Sequence, residues 1–357
     1  MSNKIMEINI DEFKKNVAKI KEYVGKEVTI MPIIKANGYG TYINQNLELI
    51  KDFNIVGVAT VEEGIFVREL GFENEIFVLN QPIVEEIEDI ISNNLIIGIS
   101  SEEFVKSLNK YKQSIKVHLE IETGMGRTGI NPKNIQKFLD NIGENIIIEG
   151  IYSHLSSADT DEDYTNRQIE IFNEVVQEVE NRIGKIKYKH ISNSNGVINF
   201  KESCFNLIRP GISIYGYESE EKMYEKINVI PIAKLKSKIS FIKEVEEGTS
   251  ISYSRNFIAN KKMKIATVAI GYADGIRRCL SNIGCVVVNG KKAKIIGNVC
   301  MDSFMIDITN IKNVKEGDFV YIWDNELIKL EEVARQCNTI NYEIISTISG
   351  RVKREFI

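Results

Sequence analysis

Ile33-Ile34-Lys35-Ala36-Asn37-Gly38-Tyr39-Gly40 follows the run Val28-Thr29-Ile30-Met31-Pro32, and the join between the two decides how the chain is read. A mostly apolar run emptying into a polar, glycine-bracketed stretch is a buried strand ending in a loop. A lysine at that junction is partly desolvated, which lowers the pKa of its ammonium group and frees the amine to react with a carbonyl. A lone lysine there more often caps the strand in solvent, because buried lysines are rare. The surroundings of Lys35 therefore have to decide.

Downstream of Lys35, short apolar runs alternate with helical patterns. Strands are expected at Val28–Ile34, Ile55–Ala59, Glu75–Leu79, Leu95–Ile99, Ile115–Ile121, Ile146–Tyr152, Lys187–Ile191 and Phe205–Ile208. Amphipathic stretches such as Val61–Leu70, Val84–Asn93 and Asp163–Arg182 lie between them; in and just past the last, Ile169, Phe172, Val176, Val179 and Ile183 recur at helical spacing. A helix Asp11–Tyr23, with Asp11 as N-cap, precedes them. Eight βα units in about 200 residues fit a (β/α)₈ barrel; periodicity alone leaves a doubly wound sheet open. After Tyr217 the rhythm changes. Glu218–Glu225 is charged, and β-rich segments follow at Ile232–Val245, Met263–Ile270, Cys285–Val288, Ala293–Ile296, Phe304–Ile308 and Phe319–Trp323, with Asn289-Gly290 as a hairpin turn. Short helices near Leu330–Cys337 and Tyr342–Ile348 come last. The expected architecture is a barrel over residues 8–225 and a mainly antiparallel β domain over 226–357, which residues 1–7 could join.

The composition, 43% hydrophobic and 27% charged, is that of a soluble globular protein. A net charge of −5 without a basic block gives no reason to expect nucleic acid or an acidic membrane surface. No apolar signal region opens the sequence and no 18-residue apolar run occurs, so no membrane span is expected. Five scattered cysteines without metal spacing read as free thiols in a reducing cytoplasm.

Barrel chemistry sits at the C-terminal ends of strands, with phosphate commonly held after strands 7 and 8. His190-Ile191-Ser192-Asn193-Ser194 and Ile208-Arg209-Pro210-Gly211-Ile212 stand at those places. Ser194 offers a hydroxyl, and Gly211 lets the backbone approach a phosphate and present N–H groups with Ile212. After strand 5, Glu122-Thr123-Gly124-Met125-Gly126-Arg127 has the glycines for a tight turn that aims Arg127 inward. His154 ends strand 6. The three histidines, His118, His154 and His190, lack the carboxylate or cysteine spacing of a metal site.

The segment around Lys35 resembles the Val/Ile-x-Lys-Ala-Asn-x-Tyr-Gly motif of the alanine racemase family, whose lysine carries pyridoxal phosphate. Arg209-Pro210-Gly211-Ile212-Ser213-Ile214-Tyr215-Gly216, Gly271-Tyr272-Ala273-Asp274-Gly275, Gly297-Asn298-Val299-Cys300-Met301-Asp302 and Asn341-Tyr342-Glu343 resemble further motifs of that family, in family order. The resemblance implies a pyridoxal-phosphate-dependent racemase. Lys35 and Tyr272 would be its two bases, and Lys35, Tyr39, His154, Ser194, Arg209, Gly211, Ile212 and Tyr342 would hold the cofactor. Arg127 and the Met301 N–H would bind the substrate carboxylate, with Glu120 and Asp302 in support. Arg209 would donate to the pyridine nitrogen and weaken the ring as an electron sink, which disfavours side reactions. His154 and Arg209 would form a cation chain that draws the proton off Tyr272.

The sequence also departs from the pattern. Glu120 stands close to where many members carry a carbamylated lysine, and is expected to supply the negative charge itself and pin Arg127, its shorter reach bridged by water. Asn298 replaces an arginine, and no His-Gly follows Tyr39. The resemblance further implies a homodimer in which second-domain residues complete the other subunit's site, and D-alanine supplied for peptidoglycan. Serine or a basic amino acid is an alternative substrate. A decarboxylase of the same architecture would pair the pyridine nitrogen with an acidic residue and lack the second base. A non-catalytic cofactor carrier would need only the barrel.

Overall fold

In the computed structural model, residues 2–218 and 226–357 are described; the boundary expected near residue 225, and 219–225 of the charged stretch, lie outside them. The chain begins in β1 (Lys4–Ile8), and the barrel strands follow as β2 (Thr29–Ile30), β3 (Ile55–Val58), β4 (Glu75–Val78), β5 (Ile96–Ile99), β6 (Ile115–Glu120), β7 (Ile146–Tyr152), β8 (Tyr188–His190) and β9 (Leu207–Ile208). Strands β3 to β8 pair in parallel in sequence order, and β2 pairs in parallel with β9. Two junctions close the ring. Ile33 bridges to Gly57 beside β3, and the Arg209 N–H donates to the Ser192 carbonyl at 3.0 Å beside β8. This is the (β/α)₈ barrel, and the doubly wound alternative falls.

The first barrel strand is shorter than Val28–Ile34. Regular strand geometry stops at Ile30, but pairing runs on: the Met31 and Ile33 N–H groups donate to the Ile208 and Pro210 carbonyls at 2.9 and 3.0 Å, and the Pro32 carbonyl accepts from Gly57 N at 2.9 Å, while Pro32 itself has no N–H to give the β3 side. The first helix is Ile10–Val24, and its N-cap is Asn9, whose side chain accepts from the Glu12 N–H at 3.0 Å. Asp11 sits instead in the first turn, where its charge suits the helix dipole. In the long helix Glu162–Ile183, Ile169, Phe172, Val176 and Val179 are buried as the spacing requires. Ile183, the last residue, is 43% exposed, because the stripe has turned off the barrel by then.

The second domain contains β10 (Ala233–Val245), the short hairpin β11 (Ser250–Ile251) and β12 (Phe257–Ile258), β13 (Met263–Val268), β14 (Cys285–Val288), β15 (Lys291–Ile296), β16 (Phe304–Asp307), β17 (Phe319–Trp323) and β18 (Lys353–Phe356). The order β13-β16-β15-β14-β17-β10 closes on itself because β10 also pairs with β13 along its second half. Asn289 and Gly290 both take positive φ between β14 and β15, as a two-residue hairpin turn requires. Strand β1 pairs with β10 and β18, so the chain's first strand lies in the second domain's sheet.

Phe172 is fully buried, with its ring edge-on to Phe205 at 5.2 Å. Phe172→Ala is expected to cost about 3–5 kcal/mol of unfolding free energy, read from urea denaturation; a loss below about 1 kcal/mol would show that the helix does not depend on this contact.

Candidate active site

A cavity of about 430 Å³ opens at the C-terminal ends of the barrel strands. Lys35 and Tyr39 enter it after β2, His154 after β7, Ser194 after β8, and Arg209, Gly211 and Ile212 after β9; Tyr342 closes it from the second domain. These eight are the residues the sequence assigns to the cofactor.

Burial, reinforced by the positive charges of Arg127 and Arg209, pulls the Lys35 ammonium below its usual range, while Glu63 pulls the other way. The amine is thus available unprotonated at lower pH than an ordinary lysine. The loop after Lys35 is one left-handed helical turn. Ala36, Asn37, Gly38 and Tyr39 all have φ between 52° and 59°. That conformation costs roughly 1–2 kcal/mol for each residue with a Cβ, so the surroundings must enforce it. Glu63 does so in part. One carboxylate oxygen accepts from the Ala36 N–H at 2.7 Å, and the other accepts from Ala59 at 2.7 Å.

Ser194 and Gly211 meet as expected, with the Gly211 N–H donating to Ser194 Oγ at 3.0 Å. A Cβ on Gly211 would lie 2.3 Å from the Tyr39 hydroxyl oxygen, so glycine is required for Tyr39 to lean into this corner. The N–H of Ile212 makes no hydrogen bond among the described residues. This corner is a cup for an anion: the unengaged Ile212 N–H and the Ser194 hydroxyl, braced by the Gly211 N–H, beside a tyrosine.

Arg209 is fully buried. Its Nη1 donates to the His190 carbonyl at 3.0 Å and to His190 Nδ1 at 2.6 Å, and its Nη2 donates to the Ser153 carbonyl at 2.6 Å, the Ile191 carbonyl at 3.2 Å and His154 Nδ1 at 3.3 Å. Guanidinium nitrogens only donate, so His190 Nδ1 must accept and its proton sits on Nε2. That Nε2–H donates to His118 Nδ1 at 2.8 Å, which places the His118 proton on Nε2 as well. Burial, with Arg209 alongside, holds all three imidazoles neutral, His118 down to about 3. The expected His154–Arg209 cation chain is therefore a single cation, Arg209, beside a neutral His154. Arg209 Nε is buried without a partner among the described residues.

Glu120 is buried, and one oxygen accepts from the Thr128 hydroxyl at 2.7 Å. Its other oxygen has no well-formed hydrogen bond among the described residues; the Tyr152 hydroxyl stands close enough to favour the Glu120 carboxylate and donates to the Leu79 carbonyl at 3.1 Å. No ion pair joins Glu120 to Arg127 among the described residues. The Arg127 charge acts on Glu120 without a direct contact, and the hydrogen bond is to Thr128, the residue after Arg127. Arg127 is exposed and outside the cavity lining, although its charge acts on Lys35.

Tyr272, Met301 and Asp302 form a separate cluster. The Tyr272 N–H donates to the Cys300 carbonyl at 3.0 Å and the Ala273 N–H to the Met301 carbonyl at 2.9 Å. Tyr272 is 44% exposed and Met301 is 54% exposed; none of the three lines the cavity of its own chain.

Two family models cover the chain: "Alanine racemase, N-terminal domain" over residues 8–219 and "Alanine racemase, C-terminal domain" over residues 232–356. The alanine racemase of Halothermothrix orenii is 38% identical over 98% of this chain and 96% of that protein. This chain belongs to the alanine racemase family. The alanine racemase structure from Clostridium difficile 630 superposes with a TM-score of 0.94 at 31% identity, covering 100% of this chain and 96% of that one. The Bacillus anthracis alanine racemase with bound L-Ala-P gives 0.92 at 32% identity, covering 100% and 95%.

The alanine racemase family depends on pyridoxal phosphate, and the residues present fit that group. The backbone cup suits its phosphate, the partnerless Nε–H of Arg209 suits a ring-nitrogen acceptor, and the depressed Lys35 amine suits its aldehyde. Three features were missed in the sequence: Glu63, the left-handed turn and the His118–His190 chain. Ala36 to Gly40 are five consecutive positive-φ residues, and the three that are not glycine leave no turn signature to read.

Burial pushes the Glu120 carboxyl up, opposed by the Thr128 hydrogen bond and by the Arg127 charge. An acid raised above its unfolded pKa of about 4.3 carries a stability cost that grows as pH rises past that value and vanishes below it. Glu120→Gln should raise the unfolding temperature at about pH 8 and leave it unchanged at about pH 3.5. No gain at the higher pH would mean that the buried charge is fully compensated.

Proposed function

We propose that this protein interconverts L- and D-alanine. Lys35 serves one face of the α-carbon, and Tyr272 of a second copy of the chain serves the other. The observation that carries this reading is the division of the site. The cavity holds a cofactor cup and an amine whose proton burial loosens, while Tyr272 and Met301 stand exposed outside it.

Bound pyridoxal phosphate withdraws electron density from the α-carbon and so acidifies its proton. Ser194, Gly211, Ile212, Tyr39 and Tyr342 hold the phosphate end, and Arg209 and His154 set the ring. Arg127 and the Met301 N–H take the substrate carboxylate, with Glu120 and Asp302 behind them. Lys35 can accept a proton at lower pH than an ordinary lysine would, because burial and two guanidinium charges favour its uncharged form against the pull of Glu63. One base would return the proton to the face it came from, so inversion needs a second group opposite. Each such group is worth on the order of 10²–10⁴ in rate.

The barrel is taken as residues 8–225 and the β domain as 226–357. Residues 1–7 join the latter, as the pairing of β1 with β10 and β18 supports. A cytoplasmic homodimer supplying D-alanine for peptidoglycan is the setting we favour. Serine or a basic amino acid is the second reading of the substrate. The absence of an acid at Arg209's place argues against a decarboxylase.

Tyr272→Phe should abolish α-proton exchange with solvent from one alanine enantiomer. Exchange from the other, and the absorbance of the bound cofactor, should survive. Equal exchange from both enantiomers would make Tyr272 an ordinary turn residue. Racemisation rates for L-Ala, L-Ser, L-Lys and L-Arg, measured side by side, fix the substrate; a faster rate with any of the last three removes alanine from this reading.

A further inference from the structure

Two residues beyond Tyr272, the Asp274 side chain is fully buried. Its oxygens accept from Lys4 Nζ at 2.8 and 2.7 Å, and Oδ2 also accepts from the Gly271 N–H at 2.9 Å. Arg351 Nε approaches Oδ1 at 3.2 Å, and its Nη2 donates to Asp302 at 2.6 Å. A Cβ on Gly271 would lie 2.4 Å from the Cys300 and Met301 carbonyl oxygens, so this turn is pressed against that segment. The two cations come from opposite ends of the chain. Lys4 opens β1, and its side chain is only 16% exposed.

We propose that Lys4 and Asp274 are positioning residues for Tyr272, so that the first strand of the chain sets where the second base stands. The proposal rests on the reading of Tyr272 given above. A carboxylate removed from water must be matched by cations and N–H donors. Here those donors tie the two ends of the Gly271–Asp274 turn to each other, to β1 and to the segment carrying Met301. Without Lys4, the charge keeps one N–H and one half-exposed arginine. The turn then reorganises to rehydrate the carboxylate, and the phenol moves with it. A displacement near 1 Å can cost on the order of 10²-fold in a proton transfer that depends on alignment.

The test is Lys4→Met in the full-length, cofactor-loaded protein, followed by solvent deuterium exchange at the α-carbon of each alanine enantiomer. Exchange on the face that Tyr272→Phe abolishes should fall roughly 10–100-fold, while the opposite face stays within about twofold. Lys4→Arg, which keeps the cation, should restore most of the loss. Parallel loss on both faces, or no loss, overturns the proposal. A second readout is independent of activity: amide hydrogen exchange across residues 271–276 should quicken in Lys4→Met while the barrel strands keep their protection. Unchanged exchange there also overturns it. If Tyr272→Phe leaves both faces alike in the parent enzyme, the reading of Tyr272 fails, and the amide measurement still decides whether Lys4 holds the turn.

Discussion

The architecture depends on keeping one amine dry among positive charges. Lys35 loses its proton readily because the barrel end buries it and because Arg127 and Arg209 share its neighbourhood. Arg209 can be placed there because barrel closure surrounds it with carbonyl acceptors and two imidazoles, each of which satisfies an N–H at the right angle. Burying a guanidinium without such partners would cost several kcal/mol. The carbonyls of the β7 and β8 ends are thus part of the chemistry, although they belong to no motif.

Strain is held in the same place. The left-handed turn after Lys35 is unfavourable for three of its four residues, and Glu63 answers it with two backbone hydrogen bonds. A carboxylate used this way holds the loop and also tempers the positive surroundings of the amine. Its two effects on Lys35 oppose each other: it orders the loop around the amine while favouring the amine's charged form.

Much of this was legible in the chain. Most parallel barrel strands are buried on both faces and read as continuous apolar runs, as Ile55–Val58 and Ile96–Ile99 do; Ile146–Tyr152 coincides with its expected bounds although Ile147 is exposed. Ser194, Gly211 and Ile212 were legible because barrel chemistry clusters at strand ends, and the other cavity-lining residues through the motifs shared with the family. What was not legible has two sources, near-equal local choices and long-range contacts. Asn9 takes the helix cap over Asp11 through a bond to the Glu12 N–H, and Asn and Asp cap about equally well. The Glu120–Arg127 pairing that the family resemblance implies is a charge influence without a contact, and the hydrogen bond goes to Thr128. The Lys4–Asp274 bond spans 270 positions and leaves no periodic trace.

The central claim is that each working site takes Lys35 from one subunit and Tyr272 from another. Mixing Lys35→Ala and Tyr272→Phe subunits, each inactive alone, tests it most directly. If sites are shared across a two-fold dimer, random hybrids contain one intact site each, and the mixture recovers about a quarter of parental racemisation. If both groups act within one chain, every site stays broken, and a mixture with no recovered activity would contradict the account.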